Sequence, residues 1–304
     1  MDITIVIPVF NRKGLVQRTL DTIPDTFNII IVDNGSTDGS YEFCRQWVLN
    51  SRRKNVLVER EFAAGAAAAR NKGLSLCKTR WVYFFDSDDE FTGIPEQWDE
   101  ENDMICFPTL QIMDGKETIR AYEQVGTVHT QILSSMLNTI SVIYRTEWLK
   151  EIGGWNVNCR VWDDWELGVR ALAHKPQLQW ITDRAYHHVK VHEDSITGAS
   201  FSQRFEEEMK TLNVVFDDIY DMEAGKEKQQ ACFALFLRAY IFGGQLQREK
   251  NKSAADVVEN FLYDRFRVDK QSHRFGRLFR WYTRIGGRGA WRLALKFVDG
   301  MVVS

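Results

Sequence analysis

Apolar and polar positions follow two alternating rhythms over the first hundred residues. Dense apolar runs at 3–7 and 29–32, and a shorter one at 55–58, read as strands buried on both faces. Between them lie a stretch of helical spacing at 13–23 and a small-residue helix at 65–73, which could approach a sheet or a ligand closely. The fourth run is Trp81-Val82-Tyr83-Phe84-Phe85, and it passes directly into Asp86-Ser87-Asp88-Asp89. Strands alternating with helices predict an α/β fold: a mixed, mostly parallel sheet with helices on its faces. Carboxylates at the carboxyl ends of such strands, here Asp33 and Asp86, fall on the edge where open α/β sheets bind ligands. Three like charges within four positions are costly unless a cation or a bound partner compensates them.

Beyond residue 95 the rhythm loosens. Residues 104–112 read as strand, Asp114-Gly115 as a hairpin signal, 131–137 as a short helix and 141–145 as another strand. A helix to Ile152 and the turn Gly153-Gly154-Trp155-Asn156 follow, and then Asp163-Asp164 open a further helix. From Phe201 onward the pattern is helical, with apolar positions at helical spacing over 205–220, 228–247 and 254–266. This suggests a domain over 1–200, divided into halves at 1–95 and 96–200, and a helical extension over 201–304. No turn-rich linker separates the two, so the extension is expected to pack back on the core.

Composition changes this picture little, except at the end of the chain. With 304 residues, 44% hydrophobic and 27% charged, the chain has an ordinary globular balance, and a net charge of −3 gives no general attraction to nucleic acid. Five scattered cysteines without a C-x-x-C spacing fit a reducing compartment. The chain opens directly into a strand, and no apolar run approaches the ~20 residues of a spanning helix, so a cytoplasmic location is expected. Between 265 and 300, however, ten Lys and Arg face two Asp and are interleaved with Phe, Trp, Leu and Ile. Three readings follow: peripheral association with the inner face of the cytoplasmic membrane, a basic helix docked on an acidic core, and, with less support, nucleic-acid binding through the same patch.

The motifs narrow the chemistry. No G-x-G-x-x-G follows the first strand and no G-x-x-x-x-G-K-[ST] is present, which excludes the common dinucleotide and P-loop sites. Four motifs instead occur in order: Ile5-Val6-Ile7-Pro8-Val9-Phe10-Asn11, Val32-Asp33-Asn34-Gly35-Ser36-Thr37-Asp38-Gly39, Ala68-Ala69-Arg70-Asn71-Lys72-Gly73 and Phe85-Asp86-Ser87-Asp88-Asp89. Together they resemble family 2 glycosyltransferases of the GT-A fold, most closely over residues 2–95 and more loosely to about 200. The resemblance implies a nucleotide-diphosphate sugar as donor, UDP- or GDP-linked, and Mn²⁺ or Mg²⁺ as cofactor. It puts Asp33 at the nucleobase, Pro8 and Phe10 around base and ribose, and Arg70 near the nucleotide. Within the Asp-x-Asp motif it puts Asp86 and Ser87 at the nucleotide and Asp88 on the metal, while Asp89 is a further participant or a turn cap.

In the same family an acidic pair after a gly-gly-aromatic turn supplies the base of inverting members. Asp164 takes that position, with Asp163 where glutamate is more usual. An aspartate there is also a favourable helix cap. Of the imidazoles at His187, His188 and His192, the last fits the family pattern best as a metal neighbour. No H-E-x-x-H or matching cysteine supports zinc. The implied enzyme transfers a sugar, with inversion, to a saccharide or lipid-linked saccharide acceptor, in bacterial surface polysaccharide, lipopolysaccharide or capsule synthesis, with no nucleic-acid partner. The alternatives are a nucleotidyltransferase, disfavoured by the lack of a lysine-bearing glycine loop, and a non-catalytic module binding nucleotide sugar or membrane.

Overall fold

The computed structural model describes residues 2–113, 116–121, 123–190 and 200–300, with backbone alone for 113 and 187–190. In chain order the first elements are β1 (Ile3–Val9), α1 (Val16–Thr22), β2 (Asn28–Asp33), α2 (Ser40–Ser51), β3 (Val56–Arg60), α3 (Ala66–Leu76), β4 (Trp81–Phe84) and β5 (Glu90–Phe91). Next come β6 (Met104–Cys106), β7 (Thr109–Met113), β8 (Lys116–Arg120), α4 (Val128–Ser134), a 3₁₀ turn (Thr139–Ser141), β9 (Val142–Arg145), α5 (Thr146–Glu151), α6 (Asp163–Ala173), β10 (Leu178–Trp180) and β11 (His187–Lys190). Five helices follow: α7 (Phe201–Tyr220), α8 (Lys226–Arg248), α9 (Lys252–Arg265), α10 (Lys270–Arg284) and α11 (Ala290–Asp299). They form two compact units, one of residues 1–124, 136–167 and 174–192, the other of 125–135, 168–173 and 193–304.

The first unit is built on a seven-stranded sheet in the order β10-β6-β9-β4-β1-β2-β3. β4, β1, β2 and β3 are mutually parallel, and β9 alone runs antiparallel to its neighbours β4 and β6. The expected single strand over 104–112 is two. It breaks after Cys106, β6 joining the large sheet and β7 a small sheet ordered β5-β11-β7-β8. Pro108 lies at the break, where its missing N–H suits a departure from the ladder. The core is the set of central strands that the apolar runs predicted, with Ile5, Ile7, Tyr83 and Phe85 fully buried.

Two local departures from the sequence pattern have hydrogen-bond causes. The helix expected from residue 13 begins only at Val16, because the backbone before it is held elsewhere. Ser36 Oγ accepts from Asn11 N–H, Ser40 Oγ from Arg12 N–H and the Asp38 carboxylate from Lys13 N–H, at 2.9, 2.9 and 3.0 Å. The Asn34–Gly39 turn thus ties down the loop after β1, and the residue capping α2 is Gly39, without a side-chain bond. Likewise α4 starts three residues early because Thr127 and Thr130 form a reciprocal capping box, and it stops at Ser135 in the left-handed conformation.

The small residues of α3 serve close packing on the sheet. A Cβ on Gly73 would lie 2.3 Å from Val6 Cγ1, so only hydrogen fits between helix and strand. Gly73→Ala should therefore cost about 1–3 kcal/mol through overpacking, read as a lowered denaturation midpoint at unchanged slope. An unchanged midpoint would show that β1 and α3 can separate freely.

The second unit is organised around α8, against which α4, α7, α9, α10 and α11 pack. No helix among the described residues is long and apolar enough to cross a membrane.

Candidate active site

Because β4, β1 and β2 are parallel neighbours, Asp33 at the end of β2 and the Asp86–Asp89 segment after β4 emerge on the same edge of the sheet. Asp33 is only 1% exposed. Its Oδ2 accepts from Ser36 N–H at 3.2 Å and lies 3.8 Å from Arg60 Nε, which the β2–β3 register sets directly opposite. Its Oδ1 is buried without a hydrogen-bond partner among the described residues. Arg60 in turn lies over the Tyr41 ring at 3.7 Å. At the end of β1, Pro8 is half-buried and Phe10 is 56% exposed.

Phe85 and Ser87 point inward, while Asp86 and Asp88 are partly exposed. Asp86 Oδ1 accepts from Arg70 Nη2 at 3.1 Å. Asp88 forms a looser ion pair with Arg12 Nε at 3.6 Å, and its backbone carbonyl accepts from Arg18 at 3.2 Å. Asp89 is buried, and its backbone N–H returns to the Asp86 carbonyl at 3.4 Å, closing a turn.

Arg70 joins the two halves of the site. Its other terminal nitrogen donates to Asp163 Oδ2 at 2.6 Å, and its guanidinium stacks on Trp155 with 4.4 Å to the ring centroid. Trp155 is held by Asn71, whose amide donates to the Trp155 carbonyl and accepts from its N–H, both at 2.8 Å. Burial opposes the charge on Arg70, but Asp163 and Asp86 raise its pKa overall, so it stays protonated.

The two aspartates opening α6 have different surroundings. Asp163 takes the arginine; its carboxyl is raised by burial and by Asp86 and lowered by Arg70, with a net rise. Among the described residues the donors to Asp164 are backbone groups, Trp165 N–H at 2.8 Å and Thr139 N–H at 3.4 Å. Burial and the Asp163 charge push its pKa up to about 6, against the opposing effect of Arg70 and those N–H groups. Trp162, just before the pair, has φ of 59°, an uncommon conformation for a bulky residue.

His192 lies outside the described residues. The backbones of His187 and His188 fall in β11, paired opposite Phe91 and Glu90 of β5, which begins immediately after Asp89. Among the described residues no three His, Cys, Asp or Glu side chains converge as a metal cage. Mg²⁺ and Mn²⁺ take one or two carboxylates and complete their shell with phosphate oxygens and water. Asp88, partly exposed after β4, has the donor type of such a ligand. Sequence reasoning missed Arg12, Arg60, Trp155 and Thr139, all of which touch the candidate residues. Two of them had a signal, Arg60 as a charged residue ending an apolar strand and Trp155 as the aromatic of the Gly153-Gly154-Trp155 turn.

Comparison with known proteins identifies this architecture. Over its full length the chain superposes on 93% of S. aureus TarS 1–349, solved in complex with UDP-GlcNAc, with a TM-score of 0.70 at 16% identity. The fold is therefore GT-A. Residues 4–145 match the family model Glycosyl transferase family 2. Glycosyltransferase GlyG of Streptococcus pneumoniae is 38% identical over 91 residues, 29% of this chain and 30% of that protein. The putative teichuronic acid biosynthesis glycosyltransferase TuaG of Bacillus subtilis is 33% identical over 93 residues, 29% of this chain and 36% of its own length. The match thus spans about a third of these relatives.

Replacing Arg70 tests the electrostatic centre of the site. Arg70→Gln should cost about 3 kcal/mol at neutral pH, the lower end for a broken buried pair because Asp86 is partly exposed. Without the arginine, the already raised folded-state pKa values of Asp163 and Asp164 rise further, so the folded form binds more protons than the unfolded one and gains stability as pH falls. The deficit measured by denaturation should therefore shrink toward acid; a pH-independent deficit would assign Arg70 a packing role only.

Proposed function

We propose that the protein transfers a sugar from a nucleotide-diphosphate sugar to an acceptor hydroxyl, with inversion at the anomeric carbon. The observation that carries the reading is the orphaned Oδ1 of Asp33. A buried acceptor without a donor is destabilising by about 1–3 kcal/mol, and a ring N–H of uracil or guanine supplies the missing donor. The exposed ring of Phe10 lies at the end of the neighbouring strand, ready to cover a base or ribose. Fold neighbours have been solved with a nucleotide sugar of each type, UDP-GlcNAc and GDP-Man.

The remaining roles follow from the carboxylates. Asp86, with Oδ1 fixed by Arg70, presents Oδ2 to the ribose hydroxyls, beside Ser87. Asp88 would hold Mn²⁺ or Mg²⁺, with His192 as a further ligand, and the metal would offset charge on the departing diphosphate. Arg70 acts through the carboxylates it orients, fixing Asp86 toward the nucleotide and Asp163 beside the base. Asp164 takes the proton from the acceptor hydroxyl as that oxygen attacks. A carboxyl near 6 suits this task, being mostly ionised at neutral pH and more basic than an ordinary aspartate. The relative named for teichuronic acid synthesis supports a surface-polysaccharide saccharide, free or lipid-linked, as acceptor.

Two experiments test the assignment. Calorimetry with UDP and Mn²⁺ should show binding that Asp33→Asn weakens roughly tenfold or more, and that Asp88→Ala renders insensitive to Mn²⁺. Undiminished, Mn²⁺-dependent binding in both variants would remove the carboxylates from the donor site. For the chemical step, Asp164→Asn should retain nucleotide affinity while losing about two to four orders of magnitude in turnover. In the wild-type protein kcat/KM should rise with pH through about 6, because the base works only when deprotonated. Arg70→Gln removes the charge that lowers this pKa and should move the limb upward; an unmoved limb would assign it to another group.

A further inference from the structure

We propose that the outward face of α10 and α11 is a docking surface for an anionic lipid membrane. The inward face of α10 is fixed within its own unit. Tyr240 Oη and His273 Nδ1 lie 2.8 Å apart, and a Cβ on Gly276 would lie 2.2 Å from the Tyr240 ring. Arg277 and Arg280 both donate to Glu259 of α9, at 3.1 and 2.6 Å. These contacts settle which way the helix faces, and they place Leu278, Trp281 and Ile285 outward at 61, 57 and 59% exposure. Their spacing of three and four puts them on one stripe. On α11 the exposed apolar residues are Leu293 and Phe297, and Phe297 packs on Phe275 of α10 at 4.7 Å, joining the two helices.

Charge selects the occupant. Residues 265–300 carry ten basic and two acidic side chains, +8 in a chain of net −3. Two of the arginines are consumed by Glu259, but Arg274, Arg284, Arg288 and Lys296 are exposed and have no ion-pair partner among the described residues. Apolar residues lined by unpaired cations match a lipid interface, where the side chains of Leu, Ile and Trp enter the acyl boundary and the cations meet anionic headgroups. A tryptophan in the middle of the stripe fits the same boundary. A second copy of this face would bring like charge against like. A nucleic acid would satisfy the arginines but strand Leu278, Ile285 and Leu293, which cannot stack on bases as aromatic side chains do.

The test is co-sedimentation of the full chain with vesicles of about one-third phosphatidylglycerol in phosphatidylcholine, and with phosphatidylcholine alone. Binding to the anionic vesicles should be at least about tenfold tighter and should weaken with salt. The triple variant Leu278→Ser, Trp281→Ser, Ile285→Ser should lose most of the binding at any salt concentration. The variant Arg274→Gln, Arg284→Gln, Arg288→Gln should lose only the preference for anionic lipid. All six positions are exposed, so both proteins should keep the wild-type circular dichroism and melting curve, and should one fail to fold the other still decides the question. Equal sedimentation of wild type and a folded variant would overturn the proposal. So would self-association through this face, or retention on nucleic acid without vesicle binding.

Discussion

The site depends on one buried cation. Arg70 touches both the segment after β4 and the start of α6, through Asp86 and Asp163, and it does so while its guanidinium lies on Trp155. Two charge-assisted hydrogen bonds and a π-face compensate the guanidinium charge, while its Nε–H is buried without a hydrogen-bond partner among the described residues. Removing any partner leaves charge in a poorly solvated place, which is why the arrangement is held in one geometry. The aromatic support has its own anchors. Trp155 is pinned at both backbone polar atoms by Asn71, and its ring meets Phe84 edge-on at 5.1 Å. Arg70 and Asn71 are adjacent on α3, so one helix carries both the cation and the clamp for its aromatic seat.

That helix can deliver them only because it lies so close to the sheet. With hydrogen alone between Gly73 and Val6, α3 sits directly on β1, the strand between the two carboxylate-bearing strand ends. The run of alanines is therefore a packing device that positions the polar residues following it. The loop after β1 is set by a separate device, the three side chains of Ser36, Asp38 and Ser40, which hold successive backbone N–H groups. Phe10 and Arg12 thereby acquire fixed places beside the edge, although neither lies in a helix.

Much of this was legible in the residues. The parallel sheet followed from period and run length, and the edge carrying Asp33 and Asp86 followed from strand direction alone. What stayed hidden depends on tertiary register. Asp33 meets Arg60 only because β2 and β3 pair with those two residues opposite, and Arg70 meets Asp163 across 93 positions of sequence. No local pattern encodes such pairs. The late start of α1 was hidden for a related reason. Helical spacing continues back to Lys13, but distant side chains compete for the backbone N–H groups and win. The opposite surface of the problem appears in the tail, where the count of basic residues was plain but their division was not. Arg277 and Arg280 are internal fastenings to Glu259, whereas Arg274 and Arg284, on the same helix, face solvent.

The acidic pair at the start of α6 shows how neighbouring identical residues become chemically distinct. A helix N-terminus favours negative charge, and both aspartates benefit from it. Arg70 then breaks the symmetry, binding Asp163 directly and reaching Asp164 only at a distance. Asp163 becomes a fixed counter-ion whose proton affinity is offset by its partner. Asp164 is buried, experiences that counter-ion as a like charge, is compensated by the more distant Arg70 and two backbone N–H groups, and stands near 6. Pairing with one leaves the other ionised at neutral pH yet ready to accept a proton, which is the property proton abstraction requires.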